Sequence, residues 1–134
     1  MRSLQLHESV PIVEGVFNLT YVRNTGAAFG LFADLPARVR GWLFTFVSIA
    51  ALVVLVMLLR SLGPAQQAVR LALVGVLGGA IGNMIDRIRF GEVIDFLDVY
   101  WGQYHWPAFN LADSCITVGV IVMLAASLVP QRQS

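Results

Sequence analysis

The nineteen residues Gly41–Leu59, GWLFTFVSIAALVVLVMLL, carry no charge, and an apolar helix of that length crosses a ~30 Å hydrocarbon core. Two shorter runs follow. Leu71–Ile85 lies between Arg70 and Asp86, and Ser114–Val129 lies between Asp113 and Pro130. As helices they reach only about 22–24 Å at 1.5 Å per residue, so the polar residues at their ends must sit at the membrane boundary. With those end residues included, the expected membrane helices are 41–59, 71–87 and 112–129. The fold class is therefore an α-helical integral membrane protein with three transmembrane helices.

Composition agrees. The chain has 134 residues, of which 57% are hydrophobic and 13% charged, and its mean hydropathy is +0.75. That length suits one domain, 1–134. The net charge is +1 and no basic cluster exists to neutralise phosphates, so no nucleic-acid partner is expected. Cys115 is the only cysteine, which rules out an intrachain disulfide, and it reads as a small apolar residue within its run. His7 and His105 are far apart and lack any CxxC or HExxH companion, so neither a metal nor a cofactor is expected. Residues 1–40 contain no apolar run of signal-peptide type.

Arginine placement orients the helices. The loop Arg60–Arg70 and the tail with Arg132 carry no acid, whereas Asp86 to Asp113 holds five carboxylates against Arg87 and Arg89. The positive-inside rule then puts that loop and the C-terminus in the cytoplasm, with Asp86, Asp95 and Asp113 at the outer face. Residues 1–40 fall outside as well, although no earlier span leads them across. The topology thus predicts that the chain is truncated or that its start codon is placed too late.

The outer segments, 1–40 and 88–111, are more than loops. Val16–Val22 and Val93–Tyr100 are rich in β-branched and aromatic residues and read as strands. Alternation puts Val93, Asp95, Leu97 and Val99 on one face, with Ile94, Phe96, Asp98 and Tyr100 on the other. Tyr100, Trp101, Tyr104 and Trp106 form an aromatic group of the kind found at headgroup level. Gly26-Ala27-Ala28-Phe29-Gly30 leads to Leu31 and Phe32 as an interfacial stretch.

The chemistry rests on the acids at these boundaries, because a charge there costs free energy unless it is paired, hydrated or used. Asp95 and Asp113 are brought to one edge by different segments. Peptide hydrolysis by two carboxylates needs one ionised, to take a proton from water, and one protonated, to give a proton to the scissile amide. Two carboxylates close together arrange this themselves, since like-charge repulsion raises one pKa. Spacing alone equally allows two solvated or helix-capping acids, Asp113 being suited to a helix N-terminus. Asn83, Asp86 and Arg87 share one helix face at i, i+3 and i+4. They read either as a polar patch anchoring the helix end or as support for the carboxylates and substrate. Asn110 could cap the last helix or face substrate, and Asn24 fits an Asx turn. Gly75, Gly78, Gly79 and Gly82 fit close helix packing. Asn18-Leu19-Thr20 matches a glycosylation sequon and is read as accidental.

Three blocks carry a family likeness: Asn24-Thr25-Gly26-Ala27-Ala28-Phe29-Gly30; Gly82-Asn83-Met84-Ile85-Asp86-Arg87 with Gly91-Glu92-Val93-Ile94-Asp95-Phe96; and Phe109-Asn110-Leu111-Ala112-Asp113. In this order and at these gaps, the chain resembles the lipoprotein signal peptidases (signal peptidase II). The resemblance implies a bacterial inner-membrane aspartyl peptidase with four helices, an extracytoplasmic β-cradle and an interfacial helix. Such an enzyme cuts prolipoprotein signal peptides before a diacylglyceryl-modified cysteine, within membrane lipid. It implies a catalytic pair, Asp95 and Asp113, supported by Asn24, Asn83, Asp86, Arg87 and Asn110, with Phe29 near the lipid-binding mouth. The family's first helix, which bears an Asp and a Lys, has no counterpart here, and the chain contains no Lys. The alternatives are an inactive truncated peptidase and a small membrane protein whose carboxylates bind protons or ions.

Overall fold

The computed structural model describes residues 4–26, 32 and 34–128. Its elements run β1 (Ser9–Val13), β2 (Phe17–Asn24), α1 (Ala37–Ser61), α2 (Gln67–Phe90), β3 (Val93–Trp101), β4 (Tyr104–His105) and α3 (Leu111–Leu128). All three helices are long and apolar enough to cross a membrane. The chain forms two compact units, one from Met1–Thr45 and Ile85–Asn110, the other from Phe46–Met84 and Leu111–Ser134. The expected interfacial stretch at 26–32, including Phe29, lies largely outside the described residues, as does the tail with Arg132.

The helices are longer than their charge-free cores. α1 starts after Pro36, whose carbonyl accepts the Arg40 NH at 3.0 Å, and proline suits a helix start because its missing NH has no intrahelical role there. Arg38 and Arg40 thereby enter the helix; their stems can lie along apolar surface while the guanidinium heads reach water. α2 ends where Gly91 turns left-handed at φ +75°. The Gly91 NH donates to the Arg87 carbonyl at 2.9 Å, which closes the last turn, and glycine is the residue for that conformation.

In the second unit, α2 packs on α3. Lipid tails are as apolar as leucine, so the packing relies on close van der Waals approach rather than on hydrophobic burial. A Cβ on Gly79 would lie 2.5 Å from the Ala112 carbonyl oxygen, and one on Gly119 would lie 2.7 Å from the Ala72 oxygen. Each helix therefore lends a glycine to the other's backbone. Gly78, grouped with Gly79 by sequence, has nothing within 4 Å of its Cβ position. Ala72, Leu73 and Val76 form the buried apolar core between these contacts. Arg70 donates to the Leu62 carbonyl at 2.9 Å, satisfying an acceptor just past the end of α1. None of the residues of α1 is buried, as suits a helix surrounded by lipid.

The first unit holds an antiparallel sheet in the order β1-β2-β3-β4. The sequence reading missed β1 and β4. β1 contains Pro11, tolerable only because this strand is an edge, and β4 has two residues. The simple alternation along β3 is also wrong. The NH groups of Phe96 and Leu97 both donate to the Phe109 carbonyl, at 3.0 and 2.8 Å, the signature of a β-bulge. The bulge shifts the phase of the strand. Burial accordingly follows Val93, Asp95 and then Asp98, while Phe96 and Val99 are exposed.

Candidate functional site

Asp95 sits mid-strand in β3, where Val22 of β2 is its register partner, and it is only 2% exposed. A buried carboxylate needs hydrogen-bond donors. Asn24 Nδ2 donates to one oxygen at 3.0 Å, and Asn110 Nδ2 donates to the other at 3.0 Å. The Asn24 amide is oriented by its own turn, since its Oδ1 accepts the Gly26 NH at 2.9 Å. One Asn24 side chain thus both closes its turn and donates to Asp95. Gly26 has φ +82°, and the Phe44 ring would lie 2.9 Å from a Cβ there, so glycine is needed on two counts.

Asn110 also donates from Nδ2 to the Ile94 carbonyl at 3.3 Å, and it is 4% exposed. It stands just before α3 and stitches that approach to β3. Asp86, near the end of α2, accepts the Ile94 NH at 3.1 Å. Asp86 thus fixes the start of the strand that carries Asp95. Arg87 lines a cavity of about 340 Å³ together with Arg38, Trp42 and Thr45 of α1.

In the second unit, Asp113 lies in the first turn of α3, where a negative charge is favoured by the helix dipole. Asn83 Nδ2 donates to its Oδ1 at 2.8 Å, and Asn83 is 8% exposed. Both carboxylates thus accept hydrogen bonds from neutral amides, which aim their oxygens. Hydrogen bonds to charged groups contribute about 1.5–3 kcal/mol each. In sum, the structure gathers Asn24, Asp86, Asp95 and Asn110 around β3, and pairs Asn83 with Asp113.

Sequence reasoning overlooked Asp98. It is 7% exposed and accepts from Asn18 Nδ2 at 2.8 Å. His105 Nδ1 meets its two oxygens at 2.8 and 3.1 Å, and the imidazole stacks on Tyr100 at 4.8 Å. The signal was present in the Gly102 turn, which folds His105 back beside Tyr100. Among the described residues, no three His, Cys, Asp or Glu side chains group as metal ligands.

A family model described as signal peptidase (SPase) II matches residues 1–129. The lipoprotein signal peptidase of Syntrophotalea carbinolica is 55% identical over 126 residues, covering 94% of this chain and 77% of that one. The lipoprotein signal peptidase of Syntrophus aciditrophicus is 49% identical over 130 residues, with 96% and 80% covered. Among solved structures, a bacterial membrane enzyme determined in meso at 1.9 Å superposes with a TM-score of 0.82 at 32% identity, covering 98% of this chain and 80% of that one. On the strength of the near-complete family match and of relatives at about half identity over almost its whole length, this chain belongs to the signal peptidase II family of membrane proteases.

Proposed function

We propose that the chain is an aspartic endopeptidase that removes signal peptides from diacylglyceryl-modified prolipoproteins, cutting just before the lipidated cysteine. Asp95 and Asp113 are its catalytic pair. One carboxylate takes a proton from water as the water oxygen attacks the scissile carbonyl carbon. The other, protonated, gives its proton to the carbonyl oxygen, and protons then pass to the leaving amine as the C–N bond breaks. Asn24 and Asn110 aim Asp95, and Asn83 aims Asp113. Asp86 steadies the strand beneath Asp95, and Arg87 faces the substrate backbone. The whole chain, 1–134, acts as one peptidase domain, and no metal enters these steps.

The observation that most supports this reading is that both acids accept hydrogen bonds from asparagine amides. By arginine placement, the site is at the extracytoplasmic face of a bacterial inner membrane, with the C-terminus in the cytoplasm. There, water reaches the dyad while the acyl chains of the substrate stay in lipid.

The test is direct. The chain, in lipid nanodiscs, is mixed with a synthetic prolipoprotein peptide bearing a diacylglyceryl-cysteine, and the products are read by mass spectrometry. Cleavage at the bond preceding that cysteine is expected. Equal cleavage of the unlipidated peptide, or cleavage elsewhere, refutes the substrate assignment.

A further inference from the structure

The turn between β3 and β4 presents aromatic rings to the outside. Trp101 is 86% exposed, Tyr104 85% and Trp106 69%. Trp101 and Tyr104 are register partners across the hairpin. From Val99 to Phe109 the chain holds no Asp, Glu, Lys or Arg. Large aromatic rings bury 150–250 Å² each when covered, so leaving three in water is costly.

The hairpin that carries them is held firmly from behind. His105 is fixed by Asp98 at 2.8 Å and by its stack on Tyr100. The Tyr100 hydroxyl accepts the Gly15 NH at 2.9 Å, and the Trp106 NH donates to the Val99 carbonyl at 2.8 Å. Gly102, at φ +61°, makes the tight turn. The exposed rings are thus displayed on a braced support.

We propose that Trp101, Tyr104 and Trp106 form a lipid-docking surface that seats in the headgroup region of the bilayer. The same compact unit contains the start of α1 and the end of α2, two helices fit to cross the membrane, so this unit adjoins the membrane surface. Indole and phenol rings, with an apolar body and a polar NH or OH, are the side chains that settle at that depth. Because the patch carries no charge, its docking does not depend on anionic lipid. This inference is independent of whether Asp95 and Asp113 catalyse.

The chain's tryptophans are Trp42, Trp101 and Trp106, so Trp42→Phe leaves only those of the hairpin as emitters. This variant is placed in nanodiscs of phosphatidylcholine, with nitroxide on the lipid near the headgroup or deep in the acyl chain. The shallow label should remove most of the emission, the deep label less, and aqueous iodide little. The same pattern is expected after adding phosphatidylglycerol or raising salt. Quenching by iodide with none by lipid overturns the proposal. So does protection from both quenchers, which would mean that a second copy or another protein covers the rings. A Trp101→Phe/Trp106→Phe variant retaining Trp42 checks that the signal belongs to the hairpin.

Discussion

Asn24 offers the sharpest test of the site because its two hydrogen bonds can be separated. Oδ1 accepts the Gly26 NH, and Nδ2 donates to Asp95. Asn24→Ala loses both. Asn24→Asp keeps an acceptor for Gly26 but turns a carboxylate oxygen toward Asp95, where the amide stood 3.0 Å away. Two ionised carboxylates at that distance repel by roughly 5 kcal/mol at an effective dielectric of 20. The native variant relieves this by binding a proton that the unfolded chain would release. The folded-state pKa of the new pair is therefore raised, and the penalty is absent below about pH 4, where both states are protonated. It grows by up to about 1.4 kcal/mol per unit as pH rises, until the shared proton leaves. In Asn24→Ala, the loss is about 1.5–3 kcal/mol for the carboxylate bond, with a smaller part for the turn, and it varies little with pH. Thermal unfolding in detergent between pH 4 and 8, with lipopeptide cleavage measured alongside, should rank wild type above Ala and Ala above Asp near neutrality. If Asp equals wild type and only Ala is impaired, Asn24 is a turn residue and its bond to Asp95 does not matter.

Four further substitutions probe other parts. Gly79→Ala places a methyl group against the Ala112 carbonyl and should cost about 1–3 kcal/mol by overpacking. Gly78→Ala, with open space around it, should be neutral or gain up to about 1 kcal/mol of helix propensity; melting temperatures moving in opposite directions are the check. Asn83→Ala removes an amide donor to Asp113 and should lower kcat/KM by about tenfold or more, equivalent to at least 1.4 kcal/mol. Its KM should change less than its kcat. Gly26→Ala combines a left-handed backbone with the Phe44 ring and should destabilise by about 1–3 kcal/mol, seen as a lower unfolding midpoint.

The membrane helices were legible because length and the absence of charge are sufficient signals. Gly41–Leu59 needed no tertiary knowledge. Their true ends were not, since Arg40 and Arg70, which bound the charge-free runs, lie inside the helices; long side chains let a charge enter a helix end while the head stays in water. β2 and β3 were readable from β-branched content. The bulge at Phe96–Leu97 was not, because it depends on Phe109, twelve residues downstream. That single irregularity is what hid Asp98, which alternation had turned away from Asp95. Motif order pointed to the asparagines, yet only coordinates could show that Asn24 and Asn110 take opposite oxygens of the same carboxylate. The glycine stripe was legible as a packing feature, but which of its members meets a backbone depends on the rotation of α2 against α3.

The central claim is that Asp95 and Asp113 perform the cleavage together. Its most direct test is the rate of lipopeptide hydrolysis by Asp95→Asn and by Asp113→Asn, each measured in nanodiscs beside its melting temperature. An asparagine can keep the shape of either site but cannot exchange the proton the reaction needs. Each variant should stay folded and lose about 10²–10⁴-fold or more in rate. A folded variant of either kind that cleaves at nearly the wild-type rate would contradict the account.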